Sequence, residues 1–287
     1  MKINVPTTDA AHLIYDPDEL DQAHTIAVMV PGALSRISMF EATEIWRARG
    51  YGLVHYRFPG LDGRAVIPAL SIDAAAAAIV AFAGQFPSKP IRLLGFSTGG
   101  PIVLTAGAQL SGDVRIAVMA GAVEKGGGVA TALRCTYDIA HAALRARSLR
   151  LRSVWFEYYQ VLLFGRAVWR DDDLRARARA IIETRRDKIV LPQGGKPRAH
   201  TRDLRRWRWS HDLKLNSDKV TFFRGAEDPV FSQSQQMQLA AKVGAASVKV
   251  YPQQGHLLFA SCPEVFDDIY AFFEGKSETI TGAGHSE

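Results

Sequence analysis

Apolar positions along the chain follow two rhythms. Short unbroken apolar runs, closed by Gly or Pro, alternate with longer stretches whose apolar residues return every three or four positions. In "HTIAVMVPGA" the run begins at Ile26 and stops at Pro31-Gly32. A run without polar alternation predicts a strand buried on both faces. "GLVHYRF", "PIRLLGF" and "VRIAVMAG" predict three more strands of the same kind. Between the first two, "SMFEATEIWRARGYG" places Met39, Phe40, Ile45 and Trp46 near helical spacing and closes on Gly50. "SIDAAAAAIVAFAGQFPSKP" predicts a helix with Ser71 as N-cap and Pro87 as its stop. "TGGPIVLTAGAQL" predicts the helix after the third strand. Strand and helix in turn, with short connections, imply a mostly parallel, doubly wound α/β sheet with helices on its faces.

The alternation breaks near Glu124 and resumes near Asp218. Beyond the break, "KVTFFRG" and "SVKVY" predict strands and "SQSQQMQLAAKVG" a helix. A closing helix is predicted over Cys262 to Gly275, with Val265, Phe266, Ile269 and Phe273 on a broad apolar face. The interruption itself predicts mainly helix. "DDDLRARARAIIETRRDKIV" opens acidic and ends basic, as the helix dipole favours. It offers Asp171–Arg175 and Asp173–Arg177 as four-apart pairs. The expected organisation is a core of residues 1–123 and 216–275, a basic helical insertion of 124–215, and a flexible polar tail of 276–287.

Composition narrows this picture. A chain of 287 residues, 47% hydrophobic and 22% charged, suits one large α/β domain or two modest ones. Cys135 and Cys262 stand far apart in no metal-ligand spacing, which fits a reducing compartment. The first residues lack a basic-then-apolar leader. The longest apolar run, Ala74 to Gly84, is well short of the ~20 residues that span a bilayer. A cytoplasmic chain with no transmembrane segment is expected. The net charge of +6 is unevenly spread. Arg145 to Lys214 holds 19 Lys and Arg against 8 Asp and Glu, a local net of +11, while the rest of the chain nets −5.

The chemistry centres on Gly95-Phe96-Ser97-Thr98-Gly99. This G-x-S-x-G lies between a predicted strand and a predicted helix. A sharp turn there lifts the Ser97 hydroxyl above the carboxyl edge of the sheet, beside the free N–H groups of a helix N-terminus. Ser needs a base at neutral pH, and the base needs a carboxylate to orient it. Of eight histidines, His12, His24 and His55 precede Ser97, His141, His200 and His211 lie in the insertion, and His285 lies near the end. His256 alone sits in a short loop after a late strand, in "YPQQGHLLF". Asp228 in "FFRGAEDPVF" lies just past a strand end and is the favoured acid. Its neighbour Glu227 and the more distant Glu124 are rivals.

With "GFSTGG", "GAEDPV" and "QQGHLL" in the order Ser, Asp, His, the chain resembles the α/β-hydrolase superfamily over nearly everything except the insertion. "VMVPGAL" falls where that family places its oxyanion loop. The resemblance implies an oxyanion hole from the backbone N–H groups of Thr98 and Ala33. It makes 124–215 a cap over the site that sets specificity. The family often has His-Gly in the oxyanion loop; Pro31-Gly32 stands here, and backbone N–H groups serve either way. Members that use Asp as nucleophile, the dehalogenases and epoxide hydrolases, are disfavoured by Ser97.

The resulting expectation is a serine esterase that needs no cofactor or metal and acts on a small-molecule acyl substrate. The basic insertion keeps a second expectation open: a thioesterase or acyltransferase on an anionic acyl-CoA or carrier-protein substrate, or attraction to an acidic membrane surface. Arg interleaved with Trp207 and Trp209 in "RDLRRWRWSHDLK" suggests nucleic-acid stacking, but a hydrolase core makes nucleic acid an unexpected partner. A ligand-binding protein that keeps the fold without chemistry is the alternative of another class.

Overall fold

The computed structural model describes residues 12–210, 213 and 215–276. His211, His285 and all but the first residue of the expected tail lie outside the described residues. In chain order, the strands are β1 (Leu13–Ile14), β2 (Thr25–Val30), β3 (Tyr51–Tyr56), β4 (Ile91–Phe96), β5 (Val114–Met119), β6 (Val220–Gly225) and β7 (Ser247–Tyr251). They form one sheet in the order β1-β3-β2-β4-β5-β6-β7. All neighbours pair in parallel except β1, which runs antiparallel to β3 at the edge. The six predicted strands are all present. The two-residue β1 is too short to leave a pattern in the sequence.

The helices are α1 (Pro17–Gln22), α2 (Ile72–Ala83), α3 (Gly99–Gly107), α4 (Gly128–Ala146), α5 (Leu151–Phe164), α6 (Asp172–Thr184), α7 (Lys196–Thr201), α8 (Gln233–Val243), α9 (Leu258–Ser261) and α10 (Val265–Phe273). Four of them, α4 to α7, fall between β5 and β6, so the interruption is helical as its pattern predicts. Alternate strand residues serve opposite faces of the sheet. Val28, Leu93 and Ile116 pack under α2, α3 and α8 in one core. Met29, Leu94 and Met119 pack in the other, with α5, α6 and α10. Each unbroken run is thus buried on both sides, which is why its sequence shows no polar alternation.

Several local readings differ from the structure. Ile37–Arg49 is a long 3-10 helix rather than an α-helix. Four of its five buried residues, Ile37, Phe40, Thr43 and Trp46, recur every third position, which matches three residues per turn; the fifth is Met39, beside Phe40. Asp171 caps α6 by accepting from Asp173 N and Leu174 N, so Arg175 pairs with Asp172 instead. Arg177 lies over the Phe164 ring rather than pairing with Asp173. Helix α2 follows its predicted cap, with Ser71 Oγ accepting from Ala74 N, but ends at Ala83, before Pro87. Trp207 and Trp209 are buried in the core, where Trp207 Nε1 donates to Thr105 Oγ1, and they offer no exposed stacking face. No helix among the described residues is long and apolar enough to cross a membrane.

One buried group makes the fold sensitive to acid. His55 on β3 is buried beside Phe40, and neither ring nitrogen has a hydrogen-bond partner. Burial, helped by the charge of Arg47, lowers its pKa from 6.5 to about 4. The unfolded chain takes up this proton near the ordinary value, and the folded chain resists it. The resulting stability is complete above the unfolded value and is lost as the pH falls toward about 4. His55→Phe removes the titration, so its unfolding free energy should fall less than the native chain's across that window. Urea unfolding at a series of pH values measures the difference.

Candidate active site

Ser97 sits between β4 and α3 with φ +48°, a left-handed conformation rare for a residue with a side chain. Its backbone is fixed on both sides: Ser97 N donates to Met119 O, and Ser97 O accepts from Gly100 N and Ala122 N. The flanking glycines answer to contact rather than to flexibility. A Cβ at Gly95 would lie 2.5 Å from Gly99 O, and one at Gly99 would lie 2.2 Å from Val30 O. Only bare backbone lets strand, turn and helix approach this closely. The start of α3 therefore rests on the end of β2, beside the loop that carries Ala33.

Three side chains distant in sequence meet here. His256 Nε2 is 3.0 Å from Ser97 Oγ, and His256 Nδ1 is 2.9 Å from Asp228 Oδ2. All three residues are buried. With Asp228 ionised, Nδ1 carries the proton and Nε2 faces the hydroxyl as an acceptor. Asp228 Oδ1 accepts from Val230 N at 2.8 Å and Phe231 N at 3.1 Å, and Oδ2 accepts from Gln236 Nε2 at 3.2 Å. Both carboxylate oxygens are thereby held. The rivals stand elsewhere. Glu227 is exposed, and Glu124 binds Lys242 and Trp209 N, both at 2.7 Å.

The His256 loop is held by the helical insertion. Leu162 O, near the end of α5, accepts from His256 N at 2.7 Å and Leu257 N at 3.0 Å. Leu163 O accepts from Gly255 N at 2.7 Å. A Cβ at Gly255 would lie 2.4 Å from Leu162 O, so the contact requires glycine. The imidazole is flanked by Phe96 and Phe231, with ring centroids at 5.3 and 5.7 Å.

Two supporting residues leave no local mark in the sequence. Gln236 on α8 links Asp228 to the buried Arg224, whose Nε donates to Gln236 Oε1 at 2.9 Å. His200 on α7 is fully buried; its Nδ1 accepts from Leu34 N at 3.0 Å, so its Nε2 donates to Pro59 O at 2.6 Å. Burial lowers the pKa of His200, in keeping with this neutral form. His200 and Leu34 are 166 positions apart, beyond the reach of any motif.

Ala33 and Thr98 line one cavity together with Ser97 and His256. The cavity holds about 1010 Å³ and is walled largely by apolar side chains of the insertion, among them Val154, Trp155, Tyr158 and Leu204. Its charged lining residues are Arg36, Lys125, Arg185, Lys188 and Arg205, all cationic. Arg185 and Lys188 pair with Glu41 and Arg36 with Asp62, whereas Lys125 and Arg205 have no carboxylate partner among the described residues. No group of three metal-ligating side chains occurs among the described residues.

Comparison with known proteins agrees with this architecture. An esterase from Thermogutta terrifontis matches with TM-score 0.63 at 16% identity, over 88% of this chain and 91% of that one. A lipase-esterase related protein from Clostridium acetobutylicum matches with TM-score 0.63 at 13% identity, over 91% and 98%. A protein provisionally described as a non-heme bromoperoxidase, BpoC, from Mycobacterium tuberculosis H37Rv matches with TM-score 0.66 at 17% identity, over 93% and 97%. At these identities the likeness is one of fold. No curated protein matches the chain. The model of the alpha/beta hydrolase family matches residues 27–269, nearly the whole sheet with its insertion, and the chain belongs to that family.

Proposed function

We propose that the chain is a serine hydrolase that cleaves a carboxylic ester through an acyl-enzyme. The observation that carries this reading is the hydrogen-bonded line from Ser97 through His256 to Asp228, opening on a large apolar cavity. Ser97 Oγ attacks the ester carbonyl while His256 Nε2 takes its proton. Asp228 keeps the imidazole in the required tautomer and stabilises its positive form. The N–H groups of Ala33 and Thr98 hold the negative charge that develops on the carbonyl oxygen. The proton on Nε2 passes to the leaving alkoxide, and the alcohol departs. Water then attacks the acyl-enzyme with His256 as base, which releases the acid and restores Ser97.

In this reading residues 124–215 form a cap whose apolar wall receives the acyl group. The protein works in the cytoplasm, where its two free cysteines stay reduced. His200 acts as a positioning residue: by accepting the Leu34 N–H it fixes the loop that aims the Ala33 N–H.

A second reading is a thioesterase or acyltransferase for an anionic acyl carrier such as coenzyme A. Lys125 and Arg205 favour it, as cations on the cavity lining without carboxylate partners. Such charges raise the capture of an anionic substrate and are screened by salt.

Three measurements test these assignments. A fluorophosphonate probe should label the native chain at Ser97 and leave Ser97→Ala unlabelled; a folded native chain that stays unlabelled points to a ligand-binding protein instead. Asp228→Asn should lower kcat on a short ester by about four orders of magnitude, while Glu227→Gln stays within about twofold. His200→Phe should lower kcat about tenfold or more with little change in KM, because it misplaces a donor used in the transition state. For the second reading, Lys125→Glu with Arg205→Glu should raise KM about tenfold for an acyl-CoA and leave a neutral ester unaffected.

A further inference from the structure

Helix α4 is turned inside out. Its three buried residues are Thr131, Asp138 and Ala142, and Asp138 is paired with Arg166 at 2.7 Å. Its polar side also holds Arg134, which donates to Thr131 Oγ1, Val230 O and Gln235 Oε1. The large apolar residues Val129, Leu133, Tyr137 and Leu144 are 76, 65, 56 and 76% exposed. At about 100° per residue these four share one narrow arc, opposite the buried one. Leu149, in the turn before α5, is 92% exposed and continues the apolar surface. Single exposed leucines need no explanation, but a contiguous group of this kind marks an interaction surface.

Charge identifies the partner. From Lys125 to Phe156 the one acidic residue is Asp138, which is buried and paired. Arg145, Arg147, Arg150 and Arg152 are exposed around the α4–α5 turn, and none has a carboxylate partner among the described residues. Paired with a second copy of itself, this face would gather two sets of uncompensated arginines. Against a surface of anionic lipid, the same arginines meet opposite charge while the leucines enter the headgroup and acyl boundary. The cavity also opens here: Val129, Ile139 and Leu151 line it and are 76, 41 and 44% exposed.

We propose that the exposed arc of α4 and the arginine-rich α4–α5 turn dock the protein on anionic lipid bilayers, with the mouth of the Ser97 cavity facing the membrane. The docking is independent of the serine chemistry; only the passage of a membrane-borne acyl chain into the cavity rests on the hydrolase reading.

The test is co-flotation of the full chain with vesicles of phosphatidylcholine alone and of phosphatidylcholine mixed with phosphatidylglycerol, at low and high salt. The native chain and Ser97→Ala should both float with the anionic vesicles, much less with neutral ones, and less at high salt. Arg147→Glu with Arg150→Glu should weaken binding about tenfold or more. Leu133→Asp with Leu149→Asp should weaken it similarly. Both double variants should keep the native circular-dichroism spectrum and thermal midpoint, which shows that they fold. The proposal is overturned if the native chain ignores anionic vesicles, or if it binds neutral vesicles equally well. It is also overturned if the folded variants bind as the native chain does, or if sedimentation reveals a dimer that Leu133→Asp disperses.

Discussion

Where a Cβ at Gly99 would stand, the carbonyl oxygen of Val30 lies only 2.2 Å away. The rest of the site depends on that contact between bare backbones. It sets α3 directly on the end of β2, so the start of the helix, the loop that carries Ala33 and the strained Ser97 share one corner of the sheet. The carboxyl edge repeats the device at the other loops. A Cβ at Gly225 would lie 2.1 Å from Gly255 O, so the Asp228 and His256 loops also touch through main chain. Backbone-to-backbone contact leaves little freedom to side-chain rotamers, and Ser97, Asp228 and His256 inherit their spacing from the sheet.

Much of this architecture is legible in the sequence because it rests on local chemistry. Buried parallel strands announce themselves as unbroken apolar runs, and the glycines around Ser97 mark the elbow. Asp228 and His256 can be found because both follow strand ends. The choice between Asp228 and Glu227 is harder, since adjacent carboxylates share the same loop and the same motif. The two differ in the loop's conformation, in which Val230 N and Phe231 N turn toward Asp228 and leave Glu227 in solvent.

What escapes sequence reading depends on distant partners or on a single repeated increment. His200 looks like any histidine in a basic insertion until the fold brings Leu34 to it. Gln236 looks like an ordinary polar position of α8 until Arg224 and Asp228 are seen on either side. The 3-10 helix at Ile37–Arg49 differs from an α-helix by a fraction of a residue per turn, too little for a few apolar positions to resolve. On α4 apolar spacing alone does not tell which side meets the protein, since the buried side holds Thr131, Asp138 and Ala142.

The carbonyls of Leu162 and Leu163 give the insertion a second allegiance. Where it walls the cavity, Val154, Trp155 and Leu204 supply mainly volume and apolarity, which side chains of similar size can also supply. The last turn of α5 is bound by a stricter demand, because the backbone of the His256 loop hangs from it. An exchange of this insertion between relatives would have to carry the α5 terminus and the His256 loop as a matched pair.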